Sequence, residues 1–357
     1  MLSECPLSKG KYVFRPIRAV VALLSVIGLI VVAGCESSPT AGRAPSSVAS
    51  SSAAGGAGNF PVTVKHAFGS TTIEKKPERV VTWGFGSTDA ALALGVVPVA
   101  MPEQTYGVDK SGVLPWVKQK LTRMGAKTPT LLSNPSGSNE VPMEEIAKAA
   151  PDVILANYSG ITAKQYATLS KIAPTVAYPD QPWATPWRDV VRTVGTVLGE
   201  EPKTEQLLAG IDRQVEQKAA AHPQFKGKTV AAVWDTGDSF YVYKKRDPRV
   251  AFLTDLGMVS APSVDKLAPD DDNFYYTLSY EQVSKLRSDV LLVYADDQKQ
   301  ADAFLDKSYA KSMQQVRADH VATVVGPEFV AAVSPPTALS LTWGIDGYLK
   351  ALDKAVS

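Results

Sequence analysis

Three features of the sequence predict an α/β fold made of two Rossmann-like lobes with mainly parallel sheets, joined by one long α-helix. The first is a central amphipathic stretch from Pro202 to His222. Leu207, Leu208, Ile211 and Val215 recur there at three- and four-residue steps, and Lys203, Glu205, Asp212, Arg213, Glu216 and Lys218 occupy the other face. The second is an echo across that stretch: MEEIAKAAPDVILA (Met143 to Ala156) matches YEQVSKLRSDVLLV (Tyr280 to Val293) without a gap. Glu144 falls on Glu281, Ile146 on Val283, Lys148 on Lys285, Asp152 on Asp289 and Val153 on Val290. The third is a looser echo in the same order, Arg79-Val80-Val81 leading to LALGVVPVA and Lys228-Thr229-Val230 leading to LTDLGMVSA. Repeated strand–helix–strand units on either side of one helix imply two sheets, each covered by helices. Pro202 suits a first helical position, and Pro223 with Gly227 ends the pattern. About twenty residues at roughly 1.5 Å each span about 30 Å, enough to pass between two lobes.

The chain opens with an address. Met1 to Gly34 carries Lys9, Lys11, Arg15 and Arg18, then an apolar run from Ala19 to Val32, then small residues before Cys35. The run is short for a membrane span, and this order of charge, apolar core and small residues predicts an export signal over residues 1–34. Val32-Ala33-Gly34-Cys35 resembles a bacterial lipobox, which implies that Cys35 is lipidated and tethers the mature protein to a membrane. Cys5 leaves with the leader, so neither a disulfide framework nor a thiol nucleophile is expected. Residues 35–59 are mostly Ser, Ala, Gly and Pro without hydrophobic periodicity and read as a flexible tether. The folded body is then an N-terminal lobe over 60–200, the linking helix over 201–223 and a C-terminal lobe over 224–357.

Within the first lobe, VTVKHAFG and STTIEKKP predict a hairpin, and RVVTWGFG predicts a buried strand running into a turn at Gly84 and Gly86. Ligands in open α/β sheets bind beyond the carboxyl ends of strands, which makes this turn a site candidate. It lacks the third glycine and the acidic partner of a dinucleotide fingerprint, and Ser87-Thr88-Asp89 reads as a helix cap. WRDVVRTVGTVLG predicts the amphipathic helix that closes the lobe. In the second lobe KTVAAVWDTG repeats the strand and turn, with Trp234 and Asp235 where Trp83 and Gly84 stood. SFYVYKKRDPRVAFL follows, in which Phe240, Tyr241 and Tyr243 predict an extended segment and Lys244 to Arg246 are expected on a solvated hairpin edge. Asp270-Asp271-Asp272 reads as an exposed loop, since the ligand spacing of a calcium loop is missing. VATVV and a final helix bearing Leu341, Ile345 and Leu349 on one side complete the chain.

The ordered set RVVTWGFGSTDAALALGVVPVA, MEEIAKAAPDVILA, the helix after Pro202, LTDLGM and YEQVSKLRSDVLLV is similar to the periplasmic-binding-protein family that serves iron–siderophore, haem and cobalamin ABC importers, whose lobes are joined by one long helix. FYVYKKRDPRVAFLTDLG and SPPTALSLTWGIDGYL resemble the iron–siderophore binders of actinobacteria in particular. The resemblance implies a substrate-binding lipoprotein on the extracytoplasmic side of the cell membrane. It would capture a ferric siderophore between the lobes and deliver it to a permease dimer. It also implies that Glu144 and Glu281, one acid per lobe, dock on that permease, with Glu145 as a substitute for Glu144. A haem or cobalamin binder of the same class, or a tethered siderophore sensor, is the alternative.

A ferric siderophore is a bulky chelate with an apolar or aromatic exterior and often a negative charge, so its site should be wide, aromatic and closed by Arg or Lys. Trp83, Phe85, Tyr106, Trp183, Trp234, Tyr241, Tyr243 and Arg249 offer such groups from both lobes. The chelator holds the iron, so the protein itself needs no cofactor. His66, His222 and His320 fall in separate segments, where they read as surface histidines rather than convergent metal ligands. An enzyme is disfavoured because the sequence has no Gly-x-Ser-x-Gly elbow, no phosphate loop and no metal-spaced His or Cys set. A formal net charge of +1 without a basic stripe argues against nucleic acid, and a monomer is expected.

Overall fold

The computed structural model describes residues 60–135, 140–271 and 273–356; the expected signal, the tether, Cys35 and Asp272 lie outside them. Among the described residues no helix is long and apolar enough to cross a membrane.

The first lobe begins with the antiparallel hairpin of β1 (Val62–His66) and β2 (Gly69–Ile73). There follow β3 (Val80–Gly84), α1 (Ser87–Ala93), β4 (Ala100–Pro102), α2 (Pro115–Arg123), β5 (Thr130–Leu132), α3 (Met143–Lys148), β6 (Val153–Tyr158), α4 (Ala163–Leu169), β7 (Thr175–Ala177) and α5 (Trp187–Leu198). The strands form one parallel sheet in the order β5-β4-β3-β6-β7. Every residue of β3 and β6 is buried, as expected of strands covered by helices on both faces.

The linking helix α6 (Glu201–Ala221) has 21 residues, with a proline in its first turn, and buries Thr204, Leu208, Ile211 and Val215. The second lobe comprises β8 (Thr229–Asp235), β9 (Phe240–Tyr243), α7 (Pro248–Asp255), β10 (Val259–Ser260), α8 (Pro262–Leu267) and β11 (Tyr275–Leu278). A 3₁₀ turn (Tyr280–Lys285) leads to β12 (Val290–Ala295), α9 (Gln298–Asp306), α10 (Ser308–Lys311), α11 (Gln314–Arg317), β13 (Val321–Val325), α12 (Pro327–Val333) and α13 (Ser340–Val356). Its sheet runs β11-β9-β8-β12-β13, with β10 beside β8. It is parallel except for β9 and β11, the aromatic extended segment and its partner. Leu341, Ile345 and Leu349 all face the core from α13.

The stronger echo corresponds to equivalent positions. Ile146 and Val283 are both fully buried, although the second helical segment is a 3₁₀ turn rather than an α-helix. Asp152 accepts hydrogen bonds from the backbone N–H groups of Glu78 (2.7 Å) and Arg79 (2.9 Å). Asp289 accepts from the N–H (2.7 Å) and hydroxyl (2.8 Å) of Thr229. In each lobe this carboxylate ties the start of one strand to the start of its neighbour. The looser echo is out by one residue. Val80 pairs with Val153 and Val230 with Val290, so Val80 corresponds to Val230, Trp83 to Val233 and Gly84 to Trp234.

The lobes share a continuous apolar core that includes Val190, Val194, Leu208, Ile211, Phe252 and Tyr348. Three polar brackets cross it. Arg188 on α5 reaches Asp212 on α6 through Nε (2.9 Å) and Nη2 (2.7 Å), and Asp255 on α7 through Nη1 (2.8 Å). Lys218 and His222 at the far end of α6 pair with Asp346 and Asp353 on α13, the second at 2.8 Å. Asp89 on α1 accepts from Trp116 Nε1 (2.7 Å) and from the hydroxyl of Thr337 in the other lobe. Burial pushes the Asp89 carboxyl up to about 6, against the pull of these two donors.

Several local expectations are corrected. Ser87, Thr88 and Asp89 do not cap α1, whose N-cap is Gly86 without a side-chain bond; their side chains reach Asn157, Thr82 and the Trp116–Thr337 pair instead. Lys244 is buried, not solvated, because its ammonium is clamped by Asp271 Oδ1 at 2.6 Å and by two loop carbonyls. His66 is buried against Thr71 and Tyr166, and burial lowers its pKa. His222 is half-buried in its pair with Asp353.

Candidate functional site

Beyond the carboxyl ends of both sheets lies a cavity of about 340 Å³ between the lobes. The first lobe supplies Phe85, Gln104, Thr105, Tyr106, Asn134, Tyr158 and Trp183; the second supplies Arg249, Phe274, Ala331, Ser334 and Pro335. Arg249 is the one charged residue among these lining groups.

The aromatic wall is built by backbone devices. Gly84 has φ +90°, and a Cβ there would lie 2.2 Å from the Tyr158 carbonyl oxygen, so only glycine lets the two strand ends meet. Phe85 N–H donates to that same carbonyl at 3.0 Å, which brings the Phe85 and Tyr158 rings to 6.5 Å. Trp183 packs edge-on to Tyr158, with ring centroids 5.8 Å apart. It adopts φ +59°, unusual for a bulky residue, and its indole fills the space a side chain on Gly160 would need.

Arg249 is held from beneath. Its Nε lies 2.8 Å from Asp247 Oδ1, and its guanidinium carbon sits 3.9 Å above the Tyr243 ring. Asp247 is fully buried, caps α7 through Arg249 N–H at 2.9 Å, and leaves Oδ2 without a hydrogen-bond partner. Burial pushes the Asp247 carboxyl up, and the Arg249 charge opposes that push. Burial likewise weighs against charge on Arg249, but Asp247 holds its pKa above the ordinary guanidinium range. The two form an almost neutral unit, with the cation toward the cavity.

At the rim, Tyr106 donates from its hydroxyl to Asp296 Oδ1 across the lobes at 2.7 Å and lies 6.3 Å from the Trp234 ring. The next residue, Gly107, passes so close to the second lobe that a Cβ would meet Ala331 Cβ at 2.5 Å. The first lobe thus closes onto α12 through a contact that needs glycine.

Of the eight expected ligand-site residues, Phe85, Tyr106, Trp183 and Arg249 line the cavity together. Tyr243 supports Arg249, and Trp234 stands behind Tyr106. Tyr241 packs edge-on to Tyr275 at 5.6 Å, beside β11. Trp83 is corrected: it is fully buried in the first lobe's core. Setting the two turns side by side pairs Trp83 with Trp234, one residue past its observed counterpart Val233, and in a strand one residue turns a side chain to the opposite face. Tyr158, Phe274, Asn134 and the Ser334–Pro335 segment were missed. Tyr158 ends an echo strand, where the strand-end rule would have found it; the others sit in connections without periodicity.

Glu144 and Glu281 are both exposed. Glu145 accepts from the N–H (2.7 Å) and hydroxyl (2.6 Å) of Ser133, just past the carboxyl end of β5, and these bonds lower its pKa. That contact puts Glu144 on the cavity side of its sheet. Tyr280 donates to Asp235 Oδ1 at 2.8 Å, at the carboxyl end of β8, and puts Glu281 on the same side of the other lobe. Among the described residues, no group of His, Cys, Asp and Glu could hold a metal ion.

Comparison with known proteins agrees with this architecture. The probable siderophore-binding lipoprotein YfiY of Bacillus subtilis is 28% identical over 267 residues, 71% of this chain and 77% of its own. PiaA of Streptococcus pneumoniae TIGR4, solved in complex with ferrichrome, is 36% identical with a TM-score of 0.76, covering 82% of this chain and 98% of its own. SirA of Staphylococcus aureus, complexed with staphyloferrin B, is 25% identical with a TM-score of 0.67, covering 83% and 100%. Residues 80–325 match the family model for periplasmic binding proteins. Two lobes, one long connecting helix and a cavity at facing strand ends are this family's construction, and the chain belongs to the periplasmic binding protein family, whose members bind substrates for transporters and are not enzymes.

Proposed function

We propose that the protein captures a ferric siderophore in the cavity between its lobes and hands it to an ABC importer. The observation that carries this reading is the cavity itself: an aromatic wall from Phe85, Tyr158 and Trp183 facing one cation, Arg249, whose charge is largely balanced by buried Asp247. Aromatic surface suits the organic shell of a chelate, and a nearly neutral Arg–Asp unit suits a chelate of low net charge. Three hydroxamates on ferric iron give a neutral complex, whereas three catecholates give a trianion. The site therefore favours the hydroxamate type, and its similarity to PiaA, solved with ferrichrome, supports that preference.

Cys35 as a lipid anchor would hold the body on the outer face of the cell membrane, with residues 36–59 as the leash. Glu144 and Glu281 would meet the two permease subunits, one acid per lobe, as the pseudo-twofold placement allows, with the protein acting as a monomer.

The test is a titration of purified protein with ferric trihydroxamate, ferric tricatecholate, haem and cobalamin, following tryptophan fluorescence. Trihydroxamate should bind at micromolar affinity or tighter, about −8 kcal/mol or better, and ahead of the others. No response to any ferric chelate would overturn the reading.

A further inference from the structure

Outside the cleft, the second lobe holds a cavity of about 520 Å³ whose chemistry is the reverse of the cleft's. Lys266, Lys285, Arg287 and Arg317 line it together with the hydroxyl-bearing Ser284 and Ser312, and no carboxylate does. None of the four cations takes part in a salt bridge among the described residues. Across the whole chain 37 Lys and Arg face 36 Asp and Glu, so four unopposed cations around one hollow depart from the general mixing of charge. Concentrated positive charge in a concave surface focuses the field and raises the local concentration of anions.

The framework of this hollow is ordered. Ser263 Oγ donates to the Arg287 carbonyl at 2.6 Å and accepts from the Arg287 N–H at 3.0 Å, which fixes the chain just before β12. Arg317 donates from Nη1 to the Ser312 carbonyl at 2.6 Å, which holds its guanidinium at the end of α11. Planar guanidinium groups, ammonium groups and hydroxyls together form the donor set that recognises tetrahedral phosphoryl oxygens. The hollow lies at the amino ends of β8 and β12, since Arg287 precedes Val290 and Val290 pairs with Val230 near the start of β8. The siderophore cavity lies at the other end of the same strands.

We infer that this basic cavity is a second binding site, for a phosphoryl oxyanion, at the end of the second lobe opposite the cleft. Its volume exceeds what one phosphate group fills, so an anion bearing several phosphoryl groups fits it best. The source is a soluble or polymeric phosphate, or a phospholipid headgroup. The position away from the cleft, and so away from the face that would meet a permease, favours the soluble or polymeric source.

The full chain should bind tripolyphosphate in calorimetry at physiological salt, more tightly than orthophosphate. K285A/R287A and K266A/R317A should each weaken this at least tenfold while leaving ferric chelate titration unchanged. In a parallel arm, vesicles of phosphatidylglycerol or phosphatidylcholine are sedimented with the wild-type chain and with the fourfold variant. A difference between the two chains on phosphatidylglycerol alone, with tripolyphosphate inert, would retain the phosphoryl chemistry and assign it to a headgroup. No binding in either arm, or binding that survives removal of all four cations, would overturn the site. Loss of chelate binding in the variants would instead mean that the lobe had been disturbed, and K285Q/R317Q then repeats the test with a polar side chain and most of each aliphatic stem retained.

Discussion

The two lobes repeat one plan, yet they part at the end of the central strand. In the second lobe β8 and β12 stay in register from Val230 with Val290 to Trp234 with Tyr294. In the first lobe the register slips between Thr82 and Gly84, so that Gly84 meets Tyr158 rather than Asn157. The slip, with a glycine at the meeting point, lets Phe85 and Tyr158 turn into the cavity. The second lobe has a half-buried tryptophan at that point and brings its contribution from connections: Arg249 at the start of α7, Phe274 before β11 and Pro335 before α13. Both lobes use connections, but only the first adds a register slip at its strand ends. Duplicated frameworks need not carry duplicated sites.

The sharpest way to break this comparison is Gly84→Ala. A side chain at φ +90° and 2.2 Å from a carbonyl oxygen forces the strand ends apart, and a loss of about 3 kcal/mol or more is expected in urea unfolding. Trp234→Ala at the matching position leaves the backbone free and should cost less. The reverse order would mean that the slip is incidental.

Asp89 ranks second. Its folded carboxyl titrates near 6 against an ordinary value of 3.8, so the folded state holds the proton more tightly than the unfolded chain. Stability from this group is complete below about 4 and is lost as pH rises through 6, a difference of about 3 kcal/mol. Both neutral donors reach Oδ1, which asparagine retains, so Asp89→Asn should flatten that part of the stability–pH curve. A curve as steep as the wild type's between pH 4 and 7 would assign the slope to other groups.

A smaller effect tests equivalence directly. Asp152 and Asp289 each receive two donors from the neighbouring strand, so alanine at either should cost about 1 to 3 kcal/mol, and the two losses should agree within about 1 kcal/mol. Chemical unfolding of the two variants and of the double variant measures this.

The last substitution should have the smallest effect on stability. Glu144 and Glu281 are exposed, and replacing both should leave folding and chelate affinity as they were while abolishing iron uptake in cells; replacing Glu145 as well removes its two bonds to Ser133, so only that triple variant should lose some stability, with chelate affinity unchanged. Normal uptake would remove the docking role.

These pairs also mark how far the sequence could be read. The gapless echo pointed to Asp152 and Asp289 because a carboxylate that ties two strand starts must precede both strands by the same step. The linking helix was legible because one stripe of apolar residues at helical spacing has few other uses, and its bounds moved by no more than two residues. Trp83 was misplaced because strand register is set by pairing partners, which a weak repeat does not contain. Phe274, Asn134 and Pro335 were missed because a loop residue faces a cavity through the path of the whole chain, and no local periodicity records it. Even Lys244 looked solvated, since its partner Asp271 lies 27 positions away across a loop.

Arg188 gathers α5, the middle of α6 and α7 onto one guanidinium, and Lys218 and His222 pin the carboxyl end of α6 to α13. A helix fastened at its middle and at its carboxyl end acts as a splint rather than an axle. Swinging the lobes apart would break the Arg188 bonds, which would leave loading and release to small movements at the rim, where the Tyr106 hydroxyl donates to Asp296 across the mouth. A permease that grips both lobes would then meet jaws of nearly constant span. The difference between an empty and a loaded carrier would have to be sensed in the last few ångströms of that mouth.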